Sequence, residues 1–357
     1  MQYPSDQQWA LSMIIVMYRS SDVTADCLRS VVAQREYFRR IILVDNCCPE
    51  DSVTAAQRAT EELGVDLQKA SNTASADMDP DYVELIRSDR NLGFAGGVNL
   101  ALDMLMNDRK TAFFWILNPD CELEQGSAKA MLTSARQADK GKGFSLLGSR
   151  ILYQDEHQTI QSDGGICCTL TGRCRNLNQG KRVPQTIVAD NRQIDFISGA
   201  NMIASRKFVA RAGRMPEDFF LYYEEVAWAQ RRGELPLVWC HDAVIRHHGG
   251  TAIGSGAVGR TPSPLSNYFN FRSRMRFMAC YHPRSLTVCY VFSILKIVQT
   301  ILKGGWHSAI AAFCGLHDLP PPAKVRTFFS EAEQLDAFGP AFRGNPQVIA
   351  EDQHKPA

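Results

Sequence analysis

The sequence has almost no excess of either charge and an average share of apolar residues. These two properties limit the protein classes to which it can belong. Its 357 residues carry 39 Lys and Arg against 38 Asp and Glu, so the formal net charge is only +1. A globally basic nucleic-acid-binding protein carries a larger positive excess, and we expect no nucleic acid among the partners. An apolar fraction of 45% and a charged fraction of 22% exclude a disordered, collagen-like or coiled-coil chain.

Cysteine pairs with metal-site spacing are also missing. The 11 cysteines are odd in number, none of them forms a C-x-x-C pair, and Cys47-Cys48 and Cys167-Cys168 are adjacent. This pattern fits neither a zinc knuckle nor a disulfide framework, and it assigns no role to Cys47-Cys48. The segment 1–9 is polar and has no basic stretch before an apolar run, so we expect a protein of the reducing cytosol.

Glycine-rich signatures of common nucleotide enzymes are absent. The segment N-L-G-F-A-G-G-V-N at 91–99 lacks the G-x-G-x-x-G spacing of a dinucleotide fingerprint, and no G-x-x-x-x-G-K-[ST] occurs. These absences argue against a dehydrogenase and exclude a P-loop ATPase. The first predicted strand is followed by Y-R-S-S at 18–21, which lacks the Gly-rich, Arg-containing loop expected of a nucleotidyltransferase.

Long hydrophobic runs are scarce, and the exception is S-L-T-V-C-Y-V-F-S-I-L-K-I-V-Q-T-I-L at 285–302. It is shorter than the about 20 mostly apolar residues of a membrane span, and its second half is more polar. The basic residues around it are Arg272, Arg274, Arg276, Arg284 and Lys303. Two interpretations stay open, a buried core helix or a helix lying in the membrane interface beside a basic patch, and a full span is least favoured.

What the sequence does contain is an alternation of strand and helix patterns over its first 150 residues. Continuous apolar runs at 11–17 and 41–44 are typical of strands buried on both faces, and helical periodicity follows at 23–34 and 52–63. The polar segment 66–81 predicts a loop. This alternation predicts an α/β fold with a doubly wound, mostly parallel sheet, whose ligands bind beyond the carboxyl ends of the strands. The polar residues expected to converge there are Tyr18, Asp45, Asn46, Asp89, Asn91, Asn118 and Asp120.

Three groups of polar residues could carry chemistry. Asp120 follows an apolar strand in L-N-P-D-C-E, where a carboxylate is either a turn or helix cap or a ligand for Mg²⁺ or Mn²⁺. His247 and His248 follow another strand and face opposite ways, so at most one of them enters the cleft. Glu224 and Glu225 follow an aromatic segment that can bury a carboxylate and raise its pKa, as a general base requires, although a solvent-facing helix start is the alternative.

Seven segments, taken in this order, share a pattern with one known family. They are I-I-V-M-Y at 14–18, V-D-N at 44–46, S-D-R-N-L-G-F-A-G-G-V-N at 88–99, L-N-P-D at 117–120, F-I-S-G-A at 196–200, F-F-L-Y-Y-E-E at 219–225 and H-H-G-G at 247–250. Together they resemble a family 2 glycosyltransferase, closest to the rhamnosyltransferase-like enzymes of bacterial cell-surface polysaccharide assembly. The resemblance extends over roughly residues 11–317.

This resemblance implies a GT-A fold, a dTDP- or UDP-sugar donor, a divalent cation (Mn²⁺ or Mg²⁺) and inverting transfer to a saccharide or lipid-linked saccharide acceptor. It implies Glu225 as the general base with Glu224 beside it, and Asp120 with His247 as ligands of the cation and the diphosphate. The residues that it implies for donor binding are Tyr18, Asp45, Asn46, Asp89, Asn91, Gly96, Asn118, Ser198, Gly199 and Arg272.

The chain departs from the family pattern at Cys47-Cys48, Ala227 and Arg272-Ser273. These departures concern the identity of the donor and the contacts to the acceptor more than the reaction itself. Rhamnose is the expected sugar, and galactofuranose or an N-acetylhexosamine is the alternative. The competing class is a sugar-nucleotide-binding protein without transfer activity, which would lack the base or the metal ligand.

The domain plan follows from the same resemblance. We expect the nucleotide-sugar-binding half at 1–120 and the acceptor-binding and catalytic half at 121–260. A C-terminal helical, membrane-associating extension is expected at 261–320, followed by a polar tail at 321–357. The protein should therefore act in the cytoplasm, peripherally on the inner face of the cytoplasmic membrane.

Overall fold

The computed structural model describes residues 10–49, 51–70, 82–155, 157–183, 193–249 and 261–339. Of the loop predicted at 66–81, the part 71–81 lies outside these ranges, as do residues 340–357 of the predicted tail.

The N-terminal half alternates strands with helices, as the apolar runs predict. Its elements are β1 (Leu11–Met17), α1 (Ser21–Val32), β2 (Arg40–Asn46), α2 (Ser52–Glu62), β3 (Asp66–Lys69), β4 (Tyr82–Ser88), α3 (Gly93–Asn107) and β5 (Phe113–Leu117). Strands β1, β2 and β5 are buried at every position because helices cover both faces of the sheet. The prediction of a loop is wrong for Asp66–Lys69, which pairs in parallel with β4 through its backbone while its side chains remain largely exposed.

The second half mixes strands of both directions. Its elements are β6 (Cys121–Leu123), α4 (Ser127–Lys140), β7 (Leu146–Tyr153), β8 (Ile160–Ser162), β9 (Gly165–Cys167), β10 (Cys174–Asn176), β11 (Asn201–Ser205), α5 (Arg206–Ala212), α6 (Glu224–Gln230) and β12 (Val238–His247). The C-terminal helices are α7 (Pro264–Tyr281), α8 (Leu286–Leu302), α9 (Trp306–Leu316), α10 (Ala323–Arg326) and α11 (Glu331–Phe338).

A ten-stranded sheet organises the described residues. Its strand order is β3-β4-β2-β1-β5-β11-β7-β12-β6, with β8 beside β7, and a separate hairpin is formed by β9 and β10. The strands from β3 to β5 pair in parallel, whereas β11 lies antiparallel between β5 and β7. This mostly parallel mixed sheet with flanking helices confirms the predicted fold class.

Helix α7 packs in the interior, and this corrects the expectation of a surface basic patch for Arg272 and Arg274. Arg272 is only 2% exposed and Arg274 only 8%. Arg276 joins Arg272 in ion pairs with Asp318. Aromatic and apolar residues lie on several sides of the helix, so Arg272 and Arg274 are buried with them. Their guanidinium groups form hydrogen bonds within the protein instead of facing solvent.

Helix α8 presents three different faces. Cys289, Ser293 and Ile297 form a buried stripe. The opposite face exposes large apolar side chains, namely Val288, Val291, Leu295, Val298 and Leu302. Between them runs a polar stripe of Lys296, Gln299, Thr300 and Lys303. By length and composition alone, Pro283–Leu302 is apolar enough to cross a membrane. The single buried stripe is nevertheless the packing of a helix that lies along a surface.

Residues 321–339, predicted as the first part of a polar tail, fold back over the carboxyl ends of the strands, and we call them the C-terminal cover. Val325 and Ala337 are fully buried. The ring of Phe329 packs on Phe220 and Phe269, with centroid distances of 5.8 and 6.3 Å. A few aromatic and small apolar side chains therefore dock a segment whose composition is otherwise polar.

Candidate active site

Two cavities meet beyond the carboxyl ends of the central strands. The smaller one, here called the strand-end pocket, has a volume of about 160 Å³, and its lining includes Tyr18, Asn46, Asn91, Asp120 and Phe328. The larger one, the helix-side cleft, has a volume of about 1020 Å³ and extends from Glu225 to helix α8. Asn118 and His247 line both. The ends of distant strands therefore build one continuous site, as a doubly wound sheet requires.

Two asparagines that bond to each other form the floor of the strand-end pocket. Asn46 Nδ2 donates to Asn91 Oδ1 at 3.2 Å and to Gly93 O at 3.0 Å, and Asn46 Oδ1 accepts from Leu92 N at 3.0 Å. Asn91 Oδ1 also accepts from Gly93 N at 3.0 Å. Because both side chains are buried and satisfied within the protein, they fix the turn that starts α3.

Asp45 and Asp89 lie beside this floor rather than in the lining of either cavity. Asp45 is buried and accepts hydrogen bonds from Cys48 N at 3.0 Å and from Arg87 Nε at 3.2 Å. Asp89 is exposed, and its backbone oxygen accepts from Cys47 Sγ at 3.5 Å. The adjacent cysteines thus belong to the turn that carries Asp45.

Gly96 and Arg272, two further residues predicted for donor binding, are placed away from both linings. Gly96 is inside α3, where a Cβ would approach Leu92 Cβ to 2.5 Å. Arg272 Nε donates to Asp318 Oδ1 at 2.8 Å, and its Nη1 donates to Ala337 O at 2.9 Å. Arg272 therefore ties α7 to the C-terminal cover through Ala337 O.

The C-terminal cover closes the outer side of the strand-end pocket. Tyr18 Oη donates to Glu333 Oε1 at 2.7 Å, and burial together with this bond raises the pKa of Tyr18. Arg19 Nη2 donates to Phe328 O at 2.7 Å, and its guanidinium lies 4.4 Å from the centre of the Phe328 ring. Tyr18 is therefore held by the cover and not free on the pocket wall.

Asp120 and His247 face each other at the junction of the two cavities. The antiparallel register of β12 and β6 sets His247 opposite Cys121, so its Nε2 lies 3.0 Å from Asp120 Oδ1. His247 Nδ1 lies 2.7 Å from Gln161 Oε1, a geometry in which the Nδ1 proton is donated to the amide oxygen. The lone pair of Nε2 then points at a carboxylate oxygen, an arrangement that a shared divalent cation satisfies.

The chemistry of this donor set fits Mn²⁺ or Mg²⁺ better than a soft metal. Cys121 Sγ belongs to the same group of atoms, all within 4.8 Å of one another. Its thiol donates to Ala200 O at 3.4 Å, and burial followed by the charge of Asp120 raises its pKa. The thiol thus stays protonated as part of the core, which leaves one carboxylate and one imidazole as candidate ligands. His248 turns the other way, with Nε2 3.6 Å from Glu122 Oε1.

Glu224 and Glu225 open α6 in the wall of the helix-side cleft. Burial raises the pKa of Glu225 to about 7. Burial and the adjacent Glu225 charge raise the pKa of Glu224, whose Oε2 is buried and has no hydrogen-bond partner among the residues that the structure describes. A carboxyl group with a pKa near neutrality, facing an open cleft, is suited to accept a proton from a bound hydroxyl group.

The loop before these carboxylates has an unusual backbone. Phe220, Tyr222 and Tyr223 have φ angles of 65°, 64° and 72°, a left-handed region that bulky residues rarely adopt. Phe220 O accepts from Phe94 N at 3.2 Å, and Tyr223 Oη donates to Gly172 O at 2.6 Å. Such conformations persist only where the surroundings fix them, so the carboxylates are presented by a rigid loop.

The predicted residues Ser198 and Gly199 lie in the helix-side cleft, next to Glu225. A Cβ on Gly199 would lie 3.3 Å from a ring atom of Phe94 and 3.9 Å from Glu225 Cβ. Ser198 Oγ accepts from Ala200 N at 3.3 Å. The absence of a side chain at 199 keeps the space in front of Glu225 open.

Three residues of this region were not found by sequence reasoning. Gln161 orients His247 from the short strand β8, whose sequence carries no motif. Arg274 lines the helix-side cleft, and the sequence offers only the R-x-R-x-R spacing at 272–276 as a signal, which does not tell which arginine faces the cleft. Glu333 belongs to a segment that its polar composition predicts to be a tail.

Comparison with known proteins identifies the family of the chain. Residues 12–210, more than half of the chain, match the family described as Glycosyl transferase family 2. Over 239 residues the chain is 24% identical to the low-salt glycan biosynthesis hexosyltransferase Agl10 of Haloferax volcanii, covering 63% of this chain and 68% of that protein.

The solved structure of GalNAc-T7 shows the same fold. GalNAc-T7, crystallised with UDP, GalNAc and Mn²⁺, superposes with a TM-score of 0.53 at 12% identity, covering 88% of this chain and only 57% of GalNAc-T7. The mannosyltransferase PcManGT of Pyrobaculum calidifontis, in complex with GDP-Man and Mn²⁺, gives a TM-score of 0.49 at 11% identity and covers 97% of this chain and 88% of that one. Because the family match spans residues 12–210, which include most strands of the sheet, the chain belongs to glycosyl transferase family 2.

Proposed function

We propose that the protein is an inverting, metal-dependent glycosyltransferase that moves a sugar from a nucleoside-diphosphate donor to a saccharide or lipid-linked saccharide. The observation that carries the proposal is the pairing of Asp120 and His247 at the junction of two cavities, with Glu225 in the wall of the larger one. The diphosphate end of the donor belongs at the junction, and the acceptor belongs in the helix-side cleft.

Glu225 acts as the general base in this proposal. The acceptor hydroxyl loses its proton as it attacks the anomeric carbon, and a carboxylate with a pKa of about 7 accepts that proton near neutral pH. The attack comes from the cleft and the diphosphate departs on the opposite side, so the configuration inverts in one displacement without a covalent enzyme intermediate.

Asp120 and His247 would hold the cation, and Gln161, which contacts His247 Nδ1 at 2.7 Å, would orient Nε2 toward it. When bound, Mn²⁺ or Mg²⁺ offsets the negative charge that builds up on the departing diphosphate. GalNAc-T7, which shares the fold, was crystallised with UDP and Mn²⁺. This supports the cation and a UDP- or dTDP-linked donor.

The donor must extend beyond the strand-end pocket. Its volume of about 160 Å³ lies below the roughly 300–1,000 Å³ of ordinary small-molecule sites. We infer that the sugar and diphosphate reach toward the helix-side cleft and that the C-terminal cover shifts to admit the base. Rhamnose remains the favoured sugar, on the resemblance of the sequence motifs, with galactofuranose and N-acetylhexosamines as alternatives.

The exposed apolar face of α8 supports peripheral attachment to the cytoplasmic membrane. Helix α9 adds Trp306, Ile310 and Phe313 to the exposed apolar surface. Arg284 and Lys303, both exposed, stand at the two ends of α8. An apolar helix face flanked by cations binds anionic membrane surfaces.

A donor-turnover screen tests the proposal. The purified chain is incubated with UDP-, dTDP- and GDP-sugars, with Mn²⁺ or with excess EDTA, and nucleoside diphosphate release is measured. We expect one donor to be turned over only with the cation, and Asp120→Ala to abolish both turnover and Mn²⁺ binding measured by calorimetry. Asp242→Ala, which removes an exposed carboxylate of β12, is the matched control. Full turnover in EDTA, or no turnover of any donor, would contradict the proposal.

A further inference from the structure

The helix-side cleft carries an excess of positive charge in addition to the Asp120–His247 pair that the proposed function assigns to the cation and the diphosphate. Its cationic residues are Arg173, Arg175, Arg274, Lys296 and Lys303, and its carboxylates are Glu224 and Glu225. Burial raises the pKa of both carboxylates, which weakens their ability to offset these charges. Within the described ranges, none of the five cations has a carboxylate in ion-pair distance.

Arg274 is the most informative of these residues. Its side chain is buried, with 8% of the residue exposed, and Nη1 has no hydrogen-bond partner in the part of the chain that the structure describes. The guanidinium donates only to neutral groups, from Nε to Tyr223 Oη at 3.2 Å and from Nη2 to Asn270 Oδ1 at 2.9 Å. A buried, uncompensated cation is costly, so it is retained where a ligand brings the negative charge.

The surroundings fix this guanidinium toward the cleft. It lies against the rings of Phe271 and Phe292, at 4.8 and 5.8 Å from their centroids. Gly172, at the turn between β9 and β10, packs on its stem, where a Cβ would approach Arg274 Cγ to 2.9 Å. The same turn leads to Arg173 and Arg175, so the hairpin and α7 approach the cleft together.

Helix α8 connects these cations to the protein surface. Its polar stripe, with Lys296 and Lys303, lines the cleft, and its apolar outer face lies next to that stripe around the helix axis. A ligand whose anionic group lies on the polar stripe therefore has an apolar surface directly beside it. The chemistry that matches both neighbours is a phosphate group attached to a hydrocarbon chain.

We propose that the acceptor is a lipid-linked phosphate or diphosphate saccharide whose phosphate groups bind Arg274, Lys296 and Lys303. Its lipid leaves the cleft along the outer face of α8 into the membrane. This inference rests on the proposed function for the identity of the cleft as the acceptor site, and it specifies the chemical class of that acceptor.

Direct binding of a short probe tests the inference without requiring transfer. Farnesyl diphosphate is titrated into the full chain in the presence of EDTA and followed by calorimetry. Farnesol, inorganic diphosphate and octyl glucuronide are titrated in parallel. We expect farnesyl diphosphate to bind best, since it offers both the charge and the chain. Arg274→Gln should weaken its binding roughly ten- to hundredfold, the typical contribution of a hydrogen bond to a charged group.

If Arg274→Gln fails to fold, two further variants still test the inference. Lys296→Gln and Lys303→Gln change residues at the cleft rim and should each weaken farnesyl diphosphate binding several-fold, whereas Arg284→Gln, outside the cleft, should not. Equal binding by all variants, displacement of the probe by UDP, or tighter binding of octyl glucuronide than of farnesyl diphosphate would each overturn the inference.

The outcomes separate this inference from the proposed function. If the chain binds farnesyl diphosphate through Arg274 but turns over no nucleotide sugar, the transferase proposal fails while the phosphate site stands. If a donor is turned over but farnesyl diphosphate binding does not depend on these cations, the transferase proposal stands and the acceptor class is wrong.

Discussion

The strand-end pocket and the helix-side cleft meet at Asn118 and His247, yet they are built in opposite ways. In the pocket, the buried side chains of Asn46 and Asn91 satisfy each other and the turn before α3. In the cleft, Glu224 Oε2 and Arg274 Nη1 are buried and have no hydrogen-bond partner within the described ranges.

This difference indicates where the protein is complete by itself and where it depends on a ligand. Polar atoms that bond to one another stabilise the fold and hold a preformed surface. Buried polar atoms without partners reduce stability, and they persist where a bound molecule supplies the missing bonds. Substitutions in the strand-end pocket should therefore act mainly on stability, and substitutions in the helix-side cleft mainly on activity.

The largest effect is expected from Glu225→Gln in the cleft. The amide keeps the shape of the side chain but does not accept the proton of the acceptor, so kcat should fall by roughly 10²- to 10⁴-fold while the donor dissociation constant hardly changes. Glu224→Gln is the matched control and should act mainly on the acceptor KM. Steady-state kinetics with both substrates varied measures this, and a fully active Glu225→Gln beside an inactive Glu224→Gln would reverse the two roles.

Asn46→Ala should have the largest effect on stability at the pocket. It removes three hydrogen bonds and leaves buried partners unsatisfied, so the free energy of unfolding should fall by about 2–4 kcal/mol. Asn107→Ala provides the control, since that side chain makes one exposed bond to Asp103 O at the end of α3. Urea unfolding measures both, and equal losses would show that the pocket floor is not a special source of stability.

The pH dependence of transfer should report the state of Glu225. Because burial raises its pKa to about 7, the base is protonated below that pH and ionised above it. The rate constant kcat/KM should therefore fall about tenfold per unit as the pH drops below 7 and level off above it. The residual activity of Glu225→Gln should lack this ionisation, and an unchanged acid limb in that variant would assign the pKa to another group.

The smallest effect is expected on the free energy of unfolding of Arg274→Met. The comparison with Arg272→Met on the same helix makes this prediction the most specific one. Arg274 and Arg272 are both buried on α7, but Arg272 is paired with Asp318 and Ala337 O. Losing an uncompensated charge should change the free energy of unfolding by less than about 1 kcal/mol, whereas Arg272→Met should cost about 2–3 kcal/mol. Equal losses in thermal or urea unfolding would mean that Arg274 is held by the protein alone.

The sequence predicts the sheet and the position of Asp120 beyond a strand end because each depends on local patterns. The apolar run 11–17 forms a buried strand over the same residues in the structure. The L-N-P-D segment ends at Asp120, which lies at the strand end as expected. Hydrophobic burial and strand order suffice for these, since they need no knowledge of distant contacts.

Other features depend on pairings that no local pattern encodes. Asn46 belongs to a motif associated with donor binding, but its bonds are made to a turn 45 residues away. In α7, Arg272, Arg274 and Arg276 stand among aromatic residues without an amphipathic period, so the face of each becomes known only from the packing. Gln161 reaches His247 across 86 positions of sequence.

The hydrogen bond between Tyr18 and Glu333 joins positions 315 residues apart. A ribosome adding about 5–20 residues per second would complete Glu333 roughly 16 to 63 s after Tyr18. Until then the C-terminal cover does not pack on the rings of Phe220 and Phe269, which contact Phe329 in the finished protein. A nascent or prematurely terminated polypeptide that ends before residue 321 thus displays aromatic surface, and quality-control machinery in the cell has a physical basis for distinguishing it from the finished protein.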